Sequence, residues 1–188
     1  MSATDRFIKM KNHPRLKDFI SDDVISYLWY NGFFTAPAST KYHGSYEGGL
    51  FDHSYAVMEA LEELTDKNNL EWMRDESPYI VGLFHDLCKI DSYRHPVVRE
   101  APDGNKVYDE STWEHNKDVM FKGHGDKSII LLSQLMMLTE EEIACIRYHM
   151  GAFTDKEEWR DYTNAVHAYE NVLWTHHADM LASHVAGI

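Results

Sequence analysis

The sequence contains few cysteines and no long apolar run. Cys88 and Cys145 are the only cysteines, and each lies in an apolar stretch, which predicts buried, reduced thiols rather than disulfides. No segment approaches the ~20 consecutive apolar residues that cross a bilayer, and residues 1–6 are polar and charged, unlike a secretory signal. These absences exclude a disulfide scaffold and predict a cytoplasmic protein that does not insert into a membrane.

Basic residues are also scarce, with 18 Lys and Arg against 31 Asp and Glu and a formal net charge of −13. Binding of long nucleic acids or of anionic membranes needs a broad positive field, so neither is an expected partner. A small anionic substrate is compatible with this charge, because a bound divalent cation dominates its local field. The sequence leaves the oligomeric state open.

Aromatic residues are abundant, with 8 Phe, 11 Tyr and 5 Trp among 188 residues, and they supply one hydrophobic core. We therefore predict a single domain over residues 1–188, in which residues 1–40 form an N-terminal helical extension. The period of the apolar residues predicts an all-α bundle of about six helices. The predicted helices cover residues 15–29, 50–64, 78–90, 126–138, 139–149 and 161–185.

An irregular insert over residues 91–122 interrupts the helical pattern. Pro102-Asp103-Gly104-Asn105 lies between two short apolar segments, which is typical of a β-hairpin turn. Connections of this length are often active-site lids. The insert is therefore interpreted either as a lid that closes over a ligand or as a solvated loop.

Histidine is frequent, with 12 residues, and several ionisable side chains fall on helix faces that should point into the bundle. Desolvating an ionised group costs several kcal/mol unless it is paired or bound to a metal. One shared cation site explains such a set better than separate hydrogen bonds do. The set comprises His53, His85, Asp86, His149 and Asp179, with His124 immediately before a helix.

The motifs around these residues, taken in order, resemble those of the HD-domain metal-dependent phosphohydrolase superfamily. The adjacent pair His85-Asp86, inside an apolar run that ends at Lys89, is the central motif of this resemblance. The resemblance extends from about residue 42 to residue 184 and leaves residues 1–40 and the insert unmatched. The matching segments are residues 42–53, 81–89, 123–128, 147–152 and 177–182.

The resemblance implies a small, stand-alone HD domain with an all-α fold and a dinuclear metal site. It implies that a first metal ion is bound by His53, His85, Asp86 and Asp179. Asp86 would bridge to a second ion bound by His124 and His149. Nitrogen and carboxylate ligands with open positions favour Mn, Fe, Co, Ni or Zn over Ca.

Two lysines are candidates for binding a substrate phosphate. Lys89 lies one helical turn beyond His85 and Asp86, where it would orient the carboxylate or contact an anionic substrate. Lys127 falls in the first turn of the helix that follows His124, and helix N-termini favour anions. We therefore predict that both lysines bind substrate.

Other polar residues near these motifs have weaker assignments. Tyr42 and His43 either line the entrance of the substrate pocket or pack on the core. His176 lies on the same helix face as Asp179 and is a candidate hydrogen-bond donor to it. His184 is expected to be solvated.

The predicted function is metal-dependent hydrolysis of a phosphomonoester or phosphodiester, with a nucleotide as the expected substrate. A metal-bound hydroxide would be the nucleophile, and Asp86 and Lys89 would be the catalytic residues. Signalling-nucleotide hydrolases of the superfamily usually carry an acidic pair after the His-Asp motif, where residues 89–92 here are Lys-Ile-Asp-Ser. Two alternatives stay open: a di-iron oxygenase acting on a small polyol or phosphonate, and a non-catalytic nucleotide-binding module.

Overall fold

Eight α-helices dominate the computed structural model, which describes residues 1–188. The all-α bundle is confirmed, with eight α-helices where the apolar period predicts about six. None of these helices is both long and apolar enough to cross a membrane. The helices are α1 (Ala3–Lys11), α2 (Asp22–Tyr30), α3 (Gly49–Asn68), α4 (Ser77–Phe84), α5 (His124–Leu132), α6 (Glu140–Tyr148), α7 (Trp159–Ala168) and α8 (Asn171–Met180).

Capping residues explain several helix boundaries. Ser21 caps α2 by accepting a hydrogen bond from the main-chain N–H of Val24, so the predicted helix over 15–29 begins only at Asp22. Thr139 and Glu142 form a reciprocal capping box at the start of α6. Helix α1, which the apolar period does not predict, has the same kind of box between Ser2 and Asp5.

Two predicted helices are interrupted in the structure. Helix α4 ends at Phe84, and Asp86, with φ −104° and ψ 19°, precedes a 3₁₀ turn over Leu87–Asp91. The predicted helix over 161–185 divides at Tyr169, which has an extended conformation, into α7 and α8. A π-helical segment over Leu181–Ala186 follows α8. The first interruption lies at the predicted ligand Asp86, and the π-helical segment begins two residues after the predicted ligand Asp179.

Helices α3 and α4 pack against each other at the centre of the bundle. Gly82 permits this close approach, because a Cβ atom at this position would lie 2.4 Å from the Cα atom of Met58. The apolar face of α3 belongs to one continuous hydrophobic cluster that includes residues from Met10 to Ala182. His53 lies on the buried side of α3, and its ring centroid is 5.3 Å from that of His85 at the end of α4.

The insert contains two small antiparallel sheets. Strand β1 (Tyr93–Arg94) pairs with β4 (Glu114–His115), and β2 (Val97–Glu100) pairs with β3 (Lys106–Tyr108). The predicted hairpin is therefore confirmed, and Gly104 supplies the positive φ of +84° that its turn requires. Strands β2 and β3 are solvent-exposed along their whole length.

Candidate metal centre

The six predicted metal ligands come together in one cluster. Their ligand atoms fall into three groups, and within each group all ligand atoms lie within 4.8 Å of one another. His85, Asp86 and His149 each belong to two groups, so the groups form one continuous cluster. The three groups are His53–His85–Asp86, His85–His149–Asp179 and Asp86–His124–His149.

The Asp86 carboxylate lies at the centre of the cluster. Its Oδ2 atom is 3.7 Å from His53 Nε2 and 3.5 Å from His85 Nε2. Its Oδ1 atom is 3.5 Å from His149 Nε2 and 3.7 Å from His124 Nδ1. The two carboxylate oxygens thus face two different pairs of imidazole rings, an arrangement in which one carboxylate can bridge two cations.

Hydrogen bonds to main-chain carbonyl groups fix the tautomers of His53, His85 and His149. A carbonyl oxygen only accepts hydrogen bonds, so each Nδ1 atom carries the proton and each Nε2 atom keeps a free lone pair. This is the tautomer that a histidine needs to bind a metal through Nε2. The three acceptors are the carbonyl oxygens of Ile188 at 2.9 Å, Gly82 at 2.9 Å and Ile146 at 2.7 Å, respectively.

Three buried polar atoms of the cluster have no hydrogen-bond partner: His85 Nε2, His149 Nε2 and Asp86 Oδ1. Buried polar atoms are normally hydrogen-bonded, and leaving one without a partner costs about 1–3 kcal/mol. A divalent cation among these atoms would satisfy all three. Imidazole nitrogens and carboxylate oxygens are also the donor set that divalent transition metals prefer. The buried histidines and aspartates could therefore hold a metal ion.

Lys89 contributes the positive charge nearest to Asp86. Its Nζ atom is 2.5 Å from Asp86 Oδ2, and the lysine is 7% exposed. Burial opposes ionisation of Asp86, but the charge of Lys89 and the imidazoles outweigh it and hold the pKa of Asp86 well below its usual value. Burial likewise opposes the charge of Lys89, yet the Asp86 carboxylate raises the pKa of Lys89. The two residues form a buried ion pair.

Three further members of the cluster, His85, His124 and Asp179, have shifted pKa values as well. Burial lowers the pKa of His85, which favours the neutral ring that a ligand must have. Burial opposes ionisation of Asp179, but the imidazoles of His53, whose Nε2 lies 3.2 Å from Asp179 Oδ1, and of His85 and His149 outweigh it and lower the pKa of Asp179. The Asp86 carboxylate, 3.7 Å from His124 Nδ1, raises the pKa of His124 to about 10, so a metal ion at Nδ1 would displace a proton.

A cavity of about 760 Å³ opens beside the cluster. Asp86, His124 and Asp179 contribute to its lining, and so do three predicted substrate-binding residues, which are Tyr42, His43 and Lys89. No residue of the insert lines this cavity, so the structure does not place the insert over it.

Tyr42 and His43 reach the cavity from the loop that precedes α3. The Ser39 hydroxyl accepts a hydrogen bond from the Tyr42 N–H and donates one to the His43 carbonyl, both at 2.9 Å. The His43 ring centroid is 5.0 Å from that of His53. Burial and the neighbouring His53 lower the pKa of His43 to about 4, so its ring is neutral near pH 7.

The structure separates Lys127 from the other predicted substrate-binding residues. Its ammonium group forms an ion pair with Asp91, and its side chain lines a different cavity, of about 190 Å³, together with residues of the insert. The neighbouring Ser128 hydroxyl accepts a hydrogen bond from the Cys88 N–H at 3.0 Å. This contact holds that face of α5 against the turn over residues 87–91, and therefore Lys127 lies away from the larger cavity.

Sequence reasoning missed part of the cavity lining. Met150 and Met180 directly follow the predicted ligands His149 and Asp179, and this adjacency was the available signal. His176 donates from Nδ1 to the carbonyl oxygen of His149 at 2.9 Å, whereas the sequence pointed to Asp179 as its acceptor. The other residues that were missed are Phe153, Ser183 and His184; the last is exposed, as predicted, and lies at the cavity surface.

Comparison of the chain with protein-family models, curated proteins and solved structures found no match. The HD-domain resemblance therefore stays a prediction from the sequence motifs. The cluster around Asp86 and its adjoining cavity are the structural observations on which a function can be argued.

Proposed function

We propose that the protein is a metal-dependent phosphohydrolase that cleaves a phosphate ester with water. One observation carries the proposal: the Asp86 carboxylate faces two pairs of imidazole rings, and three of the buried nitrogen and oxygen atoms in this arrangement have no hydrogen-bond partner. The order of the motifs along the chain supports the same activity. Lys89, a cation at the edge of the adjoining cavity, supports a substrate that carries negative charge.

The HD-domain resemblance assigns the ligands to two ions, and the three groups of side chains support that assignment. Mn, Fe, Co, Ni and Zn are the metals that suit this donor set. When two such ions are bound, they supply an activated water and neutralise charge on the phosphoryl oxygens. The proposed ligands are His53, His85, Asp86 and Asp179 for one ion, and Asp86, His124 and His149 for the other.

Lys89 is the chain's own group for orienting the phosphate. A lysine ammonium group has three N–H donors, and Asp86 occupies only one of those of Lys89. The remaining donors are available to a phosphoryl oxygen in the cavity. His43 is neutral near pH 7, so one of its ring nitrogens can donate a hydrogen bond to substrate without adding charge.

The proposal is tested by removing metal with a chelator and restoring Mn, Fe, Co, Ni or Zn separately. Phosphate release from monoesters, diesters and nucleotides is then measured beside the metal content of the same samples. We expect release only after metal is restored. Asp86→Ala should lose both metal and activity, whereas Asp66→Ala, at an exposed position of α3 with no ion pair, should lose neither.

Other outcomes of the same screen would contradict the proposal. Metal-loaded protein that releases no phosphate from any ester but binds nucleotides would indicate a binding module. A product that forms from a polyol or phosphonate only in the presence of O₂ would indicate an oxygenase. Comparing aerobic and anaerobic samples distinguishes these cases.

A further inference from the structure

We infer that the site selects phosphate monoesters whose leaving group is planar and apolar, and that Met150, Phe153 and Met180 bind that leaving group. We call these three residues the apolar wall. The inference rests on the proposed phosphohydrolase function and adds a substrate class to it. It is carried by the size of the cavity, by the chemistry of its lining and by the scarcity of cations in it.

The cavity is larger than a phosphate group requires. Its volume of about 760 Å³ is typical of sites that enclose a whole small molecule. Met150 directly follows the ligand His149, and Met180 directly follows the ligand Asp179. The ligands and the apolar wall therefore line one space, and a phosphate held near the ligands places its leaving group beside the wall.

The position of Phe153 relative to His149 is fixed by a short 3₁₀ turn over Gly151–Phe153. Gly151 has φ +53°, and a Cβ atom at this position would lie 2.3 Å from the ring of His176. His176 in turn donates a hydrogen bond to the carbonyl oxygen of His149. Phe153 is nevertheless 64% exposed, so its ring presents an aromatic surface to a ligand in the cavity.

Methionine and phenylalanine together suit a planar apolar group. Aromatic rings pair with one another in stacked or edge-to-face arrangements, and methionine sulfur makes favourable contacts with ring edges. No asparagine or glutamine lines the cavity, and the Ser183 hydroxyl already bonds the main-chain carbonyl of Asp179 at 2.7 Å. Outside the predicted ligands, the other hydrogen-bonding side chains of the lining are those of Tyr42, His43, Lys89 and His184. The apolar wall itself therefore selects a leaving group by shape and apolar contact.

The scarcity of cations favours a single phosphate group. Lys89 is the only lysine or arginine that lines the cavity, and Asp86 occupies part of its donor capacity. Arg147 forms ion pairs with Asp126 and Glu158 and does not line the cavity. Further phosphoryl groups of a triphosphate would find no cationic side chain, although such groups usually require one. We therefore expect nucleoside triphosphates to be poor substrates.

The reaction is a balanced hydrolysis. A bond forms between the water oxygen and phosphorus, and the ester bond between phosphorus and the leaving oxygen breaks. The leaving oxygen takes up a proton, so the products are an alcohol or phenol and inorganic phosphate. No oxidant or reductant is needed.

The test compares phenyl phosphate, glycerol 2-phosphate and ATP as substrates of the metal-loaded protein. We expect kcat/KM for phenyl phosphate to exceed that for glycerol 2-phosphate by about tenfold, as aromatic contacts of this kind allow. Phe153→Ala should reduce this ratio at least about fivefold, because it removes the contact between the ring and the leaving group. The variant should stay folded, since the ring is exposed. Tyr108→Ala, an exposed aromatic on the hairpin, is the matched control and should keep the ratio.

Binding of phenylphosphonate and methylphosphonate, measured by calorimetry, gives a readout that does not depend on turnover. Tighter binding of phenylphosphonate, lost in Phe153→Ala, would support the apolar wall even if no ester were hydrolysed and the proposed function failed. Hydrolysis with ATP as the preferred substrate would overturn the inference but leave the phosphohydrolase proposal standing. An unchanged phenyl-to-glycerol ratio in Phe153→Ala would also overturn it.

Discussion

Arg6 of α1 forms a bidentate ion pair with Asp52, the residue immediately before the predicted ligand His53. Arg6 Nε is 2.9 Å from Asp52 Oδ1, and Arg6 Nη2 is 2.8 Å from Asp52 Oδ2. Arg6 is 3% exposed, and a Cβ atom on Gly48 would lie 2.2 Å from its guanidinium group. Helix α1, outside the segment that resembles HD domains, thus fixes the start of the helix that carries His53.

Arg6→Ala is expected to destabilise the protein by about 3 kcal/mol, because it leaves the Asp52 carboxylate without its main partner. Arg160→Ala, which removes an exposed ion pair with Asp161, should change stability by less than about 0.5 kcal/mol. Urea unfolding of both variants measures the difference. Equal unfolding midpoints would show that the buried pair contributes nothing beyond an exposed one.

His149→Ala is expected to reduce the metal content from about two ions per chain to about one, because His149 belongs to the group around Asp86 Oδ1. His95→Ala is the control, since His95 stacks on Trp113 outside the cluster. Elemental analysis of dialysed protein provides the measurement. A content that stays at the wild-type value would remove His149 from the ligand set.

Lys89→Met is expected to retain metal but to lose turnover by a factor of about 10² or more, because the cavity then offers no cationic side chain to the phosphate. Lys127→Met removes the ion pair with Asp91 at the other cavity, and we expect lower stability rather than a higher KM. Steady-state kinetics and metal analysis of both variants are the measurements. Retained turnover in Lys89→Met would exclude Lys89 from the mechanism.

Gly82→Ala is expected to destabilise the protein by about 1–3 kcal/mol, because the added methyl group would overlap the backbone of α3 at Met58. The carbonyl of Gly82 also accepts the hydrogen bond from His85 Nδ1, so metal affinity should fall with stability. Gly104→Ala is the control: it has a positive φ but no atom within 4 Å of the new Cβ. We expect Gly104→Ala to cost stability only, by about 1 kcal/mol, with unchanged metal affinity in a titration.

The local elements and the candidate ligands can be predicted from the order of residues along the chain. The hairpin around Gly104 and the apolar period of α3 depend on residues that are close in sequence, so a local sequence pattern is enough to predict them. His53 could be singled out because an ionisable group on an apolar face is costly unless it has a partner. The same argument applies to His149 and Asp179, which the structure places in the same cluster.

The partner that each side chain contacts follows from the packing of the helices and cannot be predicted from the sequence pattern. The position of Lys127 depends on which face of α5 packs against the turn over residues 87–91. The sequence of α5 does not specify that face. Phe153 lies in a short 3₁₀ turn that has no apolar period, and its role follows from packing against α8. The Arg6–Asp52 pair joins residues 46 positions apart. Such contacts form when helices pack, so local periodicity shows which side of a helix is buried but not which partner it meets.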